Sequence, residues 1–283
     1  MINIEGVRMK KIAINFALIA SLPIIFSFLL FVLYPIINSI ILSVSEPEVV
    51  LELFRSPKYW EAFRNLLIFL YVAVPIKFLM ALLISGFLIT YRNSIFGKIV
   101  GAIYLLPWAI PTVASALAFR WSLDYDFGLF NKILADLGLP RIPFLLSYWP
   151  AMFSIILFHI WKWTPMWILL IYAGRQSIPE ELYESAQIDG ASIYKRFFYI
   201  TMPLIKKLFL ICLLLSLIWS TGEFEAIWLV TMAGPAGSTH TITTLGFQQV
   251  FQYANLIRGV SIYISVLPLV CVMMLILMVL FRR

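Results

Sequence analysis

Residues 177–203 of the chain read SIPEELYESAQIDGASIYKRFFYITMP, a polar stretch between long apolar segments. Ser177 and Glu180 have the spacing of a capping box, in which the hydroxyl accepts from the backbone and the carboxylate reaches back. Proline suits the first turn of a helix because its φ angle is already fixed near the helical value. The stretch therefore predicts a short helix from about Pro179 to Ile188.

A sharp bend and a second helix are predicted next. Asp189 and Gly190 are expected to end the first helix, since glycine tolerates the left-handed conformation found after many helices. Ser192 is suited to cap a second short helix, which Pro203 would end. Helices of about ten residues are not stable alone in water, so the bent pair needs a surface to dock against.

The composition excludes an ordinary soluble globular protein. Of the 283 residues, 62% are apolar and 12% are charged, against roughly 25% charged in soluble domains. Six stretches are apolar and long enough to cross a membrane, which takes about 20 helical residues. They show no alternating barrel pattern, so an all-α polytopic membrane protein with a single transmembrane domain over 1–283 is expected. The predicted spans are 12–33, 63–91, 99–119, 149–173, 208–232 and 259–281.

Membrane topology explains the net charge of +7 better than nucleic-acid binding does. Basic residues fall in small groups beside apolar runs, and most of them lie on one side of the predicted spans. Because cytoplasmic loops are enriched in Lys and Arg, both termini and residues 177–203 are predicted to be cytoplasmic. The opposite loops, 43–60 and 122–148, are too short to form a folded domain.

The cysteines and histidines point to no covalent or metal chemistry. Cys212 and Cys271 fall inside predicted spans and are expected to pack as small apolar residues. His159 and His240 have no cysteine or carboxylate at ligand spacing in the sequence, so no metal site is expected. No Gly-x-x-x-x-Gly-Lys-Ser/Thr sequence occurs, so the chain is not expected to hydrolyse ATP itself.

The polar stretch resembles the cytoplasmic loop of the permease subunits of ATP-binding-cassette (ABC) importers. The pattern of that family is Glu-Ala-Ala, three residues, Gly, nine residues and then Ile-x-Leu-Pro. Ser185 and Met202 depart from it, where alanine and leucine are usual, and both replacements keep the approximate size. The positions that correspond at the same spacing are Glu184, Ser185, Ala186, Gly190, Ile200, Met202 and Pro203.

In that family the bent pair is the coupling helix, which lies in a groove of the ATPase subunit and transmits its movement to the membrane helices. The resemblance implies the type I ABC importer permease fold, with a cytoplasmic coupling loop over residues 175–207. The residues it assigns to contact with the ATPase are Glu180, Leu182, Glu184, Ala186, Asp189, Gly190, Ala191, Phe197 and Pro203.

Other segments resemble the carbohydrate branch of the family. Residues 231–241 resemble the Thr-x-Gly-Gly-Pro loop of sugar permeases, with Ala233 in place of one glycine, and Leu-Pro-Trp at 106–108 and Tyr34–Pro35 at the expected end of the first span also fit. Together these features resemble the first permease partner of maltose-type importers in the prokaryotic cytoplasmic membrane. The implied partners are a second related permease, two copies of an ATPase subunit that bind ATP and Mg, an extracytoplasmic substrate-binding protein, and membrane lipids.

Charged side chains deep in the predicted spans indicate where a substrate passes. Lys162 and Glu223 are predicted to lie at matching depth, where a lone charge costs at least about 2.5 kcal/mol. We hypothesise a polar pathway in which aromatic faces stack on sugar rings and carboxylates accept from hydroxyls. Its candidate residues are Lys162, Trp161, Trp163, Trp219, Glu223 and Glu225.

Several alternatives stay open. The deep charges also fit a structural Lys162–Glu223 pair that never contacts substrate, while Lys77 is expected to extend towards the membrane surface. A stand-alone ion-coupled secondary transporter would be favoured by an internal sequence repeat. A membrane-embedded enzyme would need a nucleophile or metal constellation at depth. Among importers, a glycerol-phosphate or polyol would suit the same residues as a sugar.

Overall fold

The computed structural model describes residues 20–282, which form helices joined by short turns, without a β-strand. The start of the predicted first span, residues 12–19, lies outside the described residues. The helices are α1 (Ala20–Ser45), α2 (Pro47–Arg55), α3 (Pro57–Thr90), α4 (Ile95–Ala109), α5 (Thr112–Ser122), α6 (Leu129–Asp136), α7 (Tyr148–Gln176), α8 (Glu181–Ile188), α9 (Ile193–Thr221), α10 (Glu225–Thr231), α11 (Ile242–Phe247), α12 (Leu256–Ile264) and α13 (Leu267–Arg282).

Five helical segments of the described chain are long and apolar enough to span a membrane. They are α1, α3, α7, α9 and the α12–α13 pair. A sixth is formed when α4 and α5, which are bent by 96° at a short break, are taken as one span. The predicted all-α membrane fold is confirmed, although several spans differ in course and boundaries from the prediction.

The third span is broken, whereas the sequence predicted one continuous helix over 99–119. Ile110 leaves the helical region, with a ψ angle of 136°, and Pro111 follows it with a ψ angle of 132°. Proline lacks a backbone N–H, and its ring disfavours the helical conformation of the preceding residue. The carbonyl groups at the end of α4 are therefore left without helical partners.

Two prolines predicted to end helices lie inside them instead, so both of those predicted ends are wrong. Pro35 and Pro203 each follow a π turn, formed by Leu29–Leu33 and Phe197–Thr201 respectively. Proline lacks the backbone N–H that would donate a helical hydrogen bond. A local π turn lets a membrane helix continue in spite of the missing donor. As a result α1 continues to Ser45, and α9 begins and ends earlier than the predicted span at 208–232.

The two loops opposite the polar stretch are more ordered than predicted. Residues 43–60 include α2, and residues 122–148 include α6. The side chain of Asn131 holds the second of these in place: its oxygen accepts from the Ile142 N–H at 2.8 Å and its nitrogen donates to the Ile142 carbonyl at 2.9 Å. These segments therefore form a shaped surface at this end of the bundle.

Helices α3 and α7 form the most extensive contact in the fold and run parallel. Near the start of both helices, the Tyr148 hydroxyl donates to Asn65 Oδ1 at 2.8 Å. Near their ends, Arg175 Nη1 donates to the Leu82 carbonyl at 2.9 Å. Between these ends, the Phe78 ring of α3 packs against the Trp167 ring of α7, with centroids 5.5 Å apart. This pair is the frame against which α4, α9 and α10 pack.

Candidate functional site

A buried polar network lies at the centre of the bundle and joins α3, α7 and the end of α9. Lys77 Nζ lies 2.8 Å from His159 Nε2 and donates to Ser220 Oγ at 3.0 Å. His159 Nδ1 lies 2.6 Å from Glu223 Oε2. Because the amine donates to Nε2, the imidazole carries its proton on Nδ1 and donates it to the carboxylate. The imidazole therefore bridges a basic and an acidic group that would be costly to bury separately.

Glu223 also fixes the start of the short helix α10. Its second oxygen, Oε1, accepts from the Ala226 N–H at 3.0 Å. The first backbone N–H groups of a helix have no intrahelical partner, and a carboxylate is favoured beside them. Both oxygens of Glu223 are thus engaged, and the network ties α10 to the α3–α7 frame.

The sequence analysis missed this network. No carboxylate lies at ligand spacing from His159 in the sequence, but the fold brings Glu223 to it from 64 positions away in the chain. Lys77 was expected to extend towards the membrane surface, yet it is only 1% exposed and is hydrogen-bonded. The available signal was the position of Lys77 in the middle of a long apolar helix, since ionisable groups there usually find partners in the bundle.

Lys162 holds the break in the third span. Its Nζ donates to the Pro107 carbonyl at 2.8 Å and also to the Ile110 carbonyl. It is 2% exposed, and a cation is favourable at the C-terminal end of a helix such as α4. The alternative of a structural Lys162–Glu223 pair is wrong, because each of the two side chains has these other partners. Glu225, in the first turn of α10, exerts an attractive electrostatic interaction on Lys162.

The three candidate tryptophans are not gathered into one cavity in the described chain. Trp161 is exposed and borders a groove of about 190 Å³ that Tyr104 and Pro107 also line. Trp219 is exposed near the end of α9, with its ring centroid 5.7 Å from that of Trp167. Trp163 is half-buried on α7. These rings therefore lie on different faces around the central network.

The turn at 231–241 is anchored to α3. The side-chain nitrogen of Asn65 donates to the carbonyl groups of Ser238 and His240, at 2.8 Å each. Burial, with the nearby positive charge of Lys58 acting in the same direction, lowers the pKa of His240 to about 4. His240 is therefore neutral near pH 7, and its Nδ1 lies 3.1 Å from Thr244 Oγ1. The turn is a fixed part of the fold beside α10.

The 177–203 segment has the predicted bend but not the predicted capping box. Gly190 has a φ angle of +74°, and Ser192 Oγ accepts from the Lys195 N–H at 3.4 Å. Ser177 instead donates to the Gly174 carbonyl, because it still belongs to the end of α7. Glu180 forms an ion pair with Arg92 at 2.6 Å. The first helix of the pair, α8, begins at Glu181, two residues later than predicted.

Large apolar side chains are exposed along this segment, beyond the sequence-assigned contact residues. Ile188 is 87% exposed and Tyr199 is 79% exposed. Contiguous exposed apolar surface marks an interaction site. Among the residues assigned to ATPase contact, Ala186, Ala191 and Phe197 are half-buried, and the exposed ones are Glu180, Leu182, Glu184, Asp189, Gly190 and Pro203.

The chain can now be compared with known proteins. Residues 73–283 match the family described as the binding-protein-dependent transport system inner membrane component. The chain belongs to this family. One relative of this inner membrane component is the trehalose/maltose transport system permease protein MalF of Thermococcus litoralis, 36% identical over 225 residues, or 79% of this chain and 74% of that protein. Another is the sulfoquinovosyl glycerol transport system permease protein SmoG of Agrobacterium fabrum, 31% identical over 217 residues, or 77% of this chain and 70% of that protein.

Solved structures resemble this inner membrane component over nearly its whole length. A chain of a bacterial ABC transporter involved in the import of the acidic polysaccharide alginate superimposes with a TM-score of 0.87 and 26% identity, covering 97% of this chain and 98% of that chain. In a crystal structure of a bacterial alginate ABC transporter with an alginate pentasaccharide-bound periplasmic protein, the TM-score is 0.81 at 26% identity, covering 95% and 94%. The type of fold is therefore that of an ABC importer permease.

The family match begins within α3 and includes the central network and the 177–203 segment. Lys77, the network around His159, the Lys162 contacts and the 177–203 segment lie inside residues 73–283. Helices α1 and α2 lie before it. The central network and the exposed segment are thus both parts of the region that defines this inner membrane component.

Proposed function

We propose that the chain is a permease subunit of an ATP-driven sugar importer and forms half of its translocation pathway. The observation that carries the proposal is the exposed apolar surface of the 177–203 segment, on a bent helix pair with the spacing of the importer family. Apolar surface of this kind at the end of a membrane bundle needs a protein partner. Membership of the family supports an importer over the rival transport classes.

In this proposal the chain has one orientation in the membrane and a defined set of partner subunits. Residues 177–203 and both termini lie in the cytoplasm, where two copies of an ATPase subunit dock and hold ATP and Mg. This chain contributes no catalytic group and needs no cofactor of its own. A second related permease completes the pathway, and an extracytoplasmic binding protein delivers the substrate to the opposite end.

The continuity of α9 supplies the mechanical link for alternating access. We call residues 177–203, on which the ATPase subunit is proposed to dock, the docking segment. Helix α9 runs without interruption from Ile193, in this segment, to Thr221. At about 1.5 Å per residue, its 29 residues extend over roughly 43 Å. Ser220, in its last turn, belongs to the central network. A displacement imposed on the docking segment is therefore carried directly to the middle of the bundle.

The substrate class follows from the relatives and from the side chains near the network. The relatives are described as permeases for trehalose and maltose, for sulfoquinovosyl glycerol and for arabinooligosaccharides. Trp161, Trp163 and Trp219 offer ring faces on which sugars stack, and the half-buried Glu225 can accept from hydroxyls. Lys162 and Glu223 hold the wall of this pathway, because their polar atoms are already bonded to the protein.

Uptake of sugar into vesicles that contain the complete transporter tests this function. Glu225→Gln removes a charged acceptor, and hydrogen bonds to charged groups contribute about 1.5–3 kcal/mol. We therefore expect at least a tenfold loss of ATP-dependent uptake at low sugar concentration. The measurement is initial uptake of radiolabelled maltose, arabinooligosaccharide and glycerol phosphate, with ATP inside the vesicles and binding protein outside.

Glu61→Gln is the matched control, because Glu61 is an exposed acid near the start of α3, and we expect native uptake from it. Equal uptake by the Glu225 and Glu61 variants would show that Glu225 does not bind substrate in the pathway. Uptake that proceeds without ATP and follows an ion gradient would establish the secondary transporter instead. Uptake of glycerol phosphate alone would contradict the sugar assignment.

A further inference from the structure

One half-buried side chain connects the docking segment to the α3–α7 frame of the bundle. Arg175 lies in the last turn of α7. Its Nη1 donates to the Leu82 carbonyl at 2.9 Å and to Ser85 Oγ at 3.1 Å, both on α3. Ser85 Oγ in turn donates to the same Leu82 carbonyl at 3.1 Å. The guanidinium is thus held on α3 by a small closed set of hydrogen bonds.

The same guanidinium also contacts the docking segment. Its central carbon lies 5.5 Å from the centroid of the Phe197 ring, in the π turn of α9. An Arg cation over an aromatic face is attracted by the ring. Phe197 is half-buried, unlike its neighbour Phe198, which is exposed. Arg175 therefore contacts α3 and the docking segment at once, from its own position on α7.

The room for this arrangement comes from Gly86. A Cβ atom at that position would lie 2.7 Å from Arg175 Nη1, closer than real Cβ atoms approach. Glycine therefore lets the guanidinium lie directly against α3. A one-carbon change at this position would displace the guanidinium without removing it, which gives a second way of testing the contact.

Side-chain contacts tie the two halves of the docking segment together. The Tyr183 hydroxyl of α8 lies 2.8 Å from Thr201 Oγ1 of α9, and Arg196 donates to Gln187 Oε1 at 3.0 Å. The ion pair between Arg92 and Glu180 also reaches the segment, but its side chains are 38% and 67% exposed. Exposed pairs of this kind contribute little. The Arg175 contact is less exposed and includes two hydrogen bonds to α3, so it is the stiffer connection.

We propose that Arg175 is the positioning residue through which the docking segment moves α3, with Phe197 under its guanidinium and Gly86 leaving the space for it. This inference rests on the proposed function, in which an ATPase subunit displaces the segment. The guanidinium, hydrogen-bonded to α3 and lying over the Phe197 ring, transmits a displacement of Phe197 to Leu82 and Ser85. Helix α3 carries Lys77, so the displacement reaches the central network by this route as well as along α9.

The test uses the complete transporter in vesicles and measures ATPase activity with and without sugar-loaded binding protein. Arg175→Gln is expected to lower the stimulation ratio at least fivefold, the lower end of usual coupling effects between sites. Basal ATPase activity and the amount of bound ATPase are expected to stay native, which a merely structural role would not predict. Arg175→Lys keeps the charge but not the planar stack, so we expect an intermediate ratio.

Gly86→Ala disturbs the same contact without shortening the Arg175 side chain. A double variant then tests whether the two substitutions act on one contact. Gly86→Ala is expected to lower the same ratio, and combining it with Arg175→Gln is expected to add nothing, because both act on one contact. Lys98→Gln removes an exposed charge at the same end of the bundle and should leave the ratio native. A native ratio in Arg175→Gln, or in Gly86→Ala if Arg175→Gln does not assemble, would overturn the inference. Absence of any bound ATPase in the native complex would instead overturn the proposed function.

Discussion

A Lys77→Met variant is expected to be strongly destabilised. The substitution keeps an unbranched side chain but removes the amine that bonds to His159 and Ser220. Glu223 is then left buried without its basic counterpart. Removing one partner of a buried charged pair costs about 3–5 kcal/mol, and each kcal/mol lowers the melting temperature of a chain of this size by about 2–4 °C. Thermal unfolding of the purified protein in detergent should show a loss of about 10 °C.

A second substitution separates loss of charge balance from loss of packing. Lys77→Met combined with Glu223→Gln removes both charges and leaves an amide that can still accept from His159. We expect the double variant to recover most of the lost melting temperature, because no uncompensated charge remains. A native melting temperature in the single variant, or a double variant that is less stable than the single one, would show that the network is not a balanced unit.

Lys162→Met is expected to abolish uptake, because the broken third span loses the side chain that holds α4 and α5 in position. The carbonyl groups of Pro107 and Ile110 would lose the cation that they share. Each buried acceptor left without a partner costs about 1–3 kcal/mol. The position of α5 relative to α4 depends on this contact, and α5 packs against α10 beside the network. We expect initial uptake in vesicles to fall at least tenfold at equal amounts of protein, as a loss of about 1.4 kcal/mol would produce.

Lys98→Met is the matched control for this variant. It is the same substitution at an exposed position of α4, the helix whose end Lys162 contacts, and it should leave uptake unchanged. Lys162→Arg keeps a cation and donors near the two carbonyls and should retain part of the uptake. Native uptake by Lys162→Met would show that the break is held by packing alone and that Lys162 does not shape the pathway.

Much of the fold could be predicted from the sequence because membrane spans carry a strong local signal. Long apolar runs give the spans, and Gly190 gives the bend. Proline was the least predictable residue. Pro35 and Pro203 lie inside helices just after a π turn, Pro75 and Pro165 lie inside helices without one, and Pro111 breaks its span. The same residue type therefore has opposite consequences that its local sequence does not predict.

The site was predicted only in part because its contacts are long-range. Lys162 and Glu223 are both buried charges, but Glu223 lies in the turn after α9 and not inside the predicted span, and neither partner could be known without the fold. Glu223 meets His159, and Lys162 meets carbonyl groups that exist as acceptors only because the third span breaks. Ser177 failed as a helix cap for a similar reason: it remains in the end of α7, which the local pattern does not reveal.

Gly190→Pro is the most direct test of whether the ATPase subunit docks on the 177–203 segment. Gly190 has a φ angle of +74°, which proline cannot adopt, and an added Cβ would meet no atom within 4 Å. Gly138 offers a matched control at the opposite end, with a φ angle of +72° and equally open space. Both glycine N–H groups donate to a carbonyl three residues earlier, so both substitutions remove the same kind of bond.

The measurement is the amount of ATPase subunit that copurifies with each variant in mild detergent, together with its stimulation by sugar-loaded binding protein. We expect the native chain and Gly138→Pro to retain the ATPase, whereas Gly190→Pro loses the ATPase or its stimulation. A native chain that brings down no ATPase, or a Gly190→Pro complex as stimulated as the native one, would show that the 177–203 segment is not the docking element.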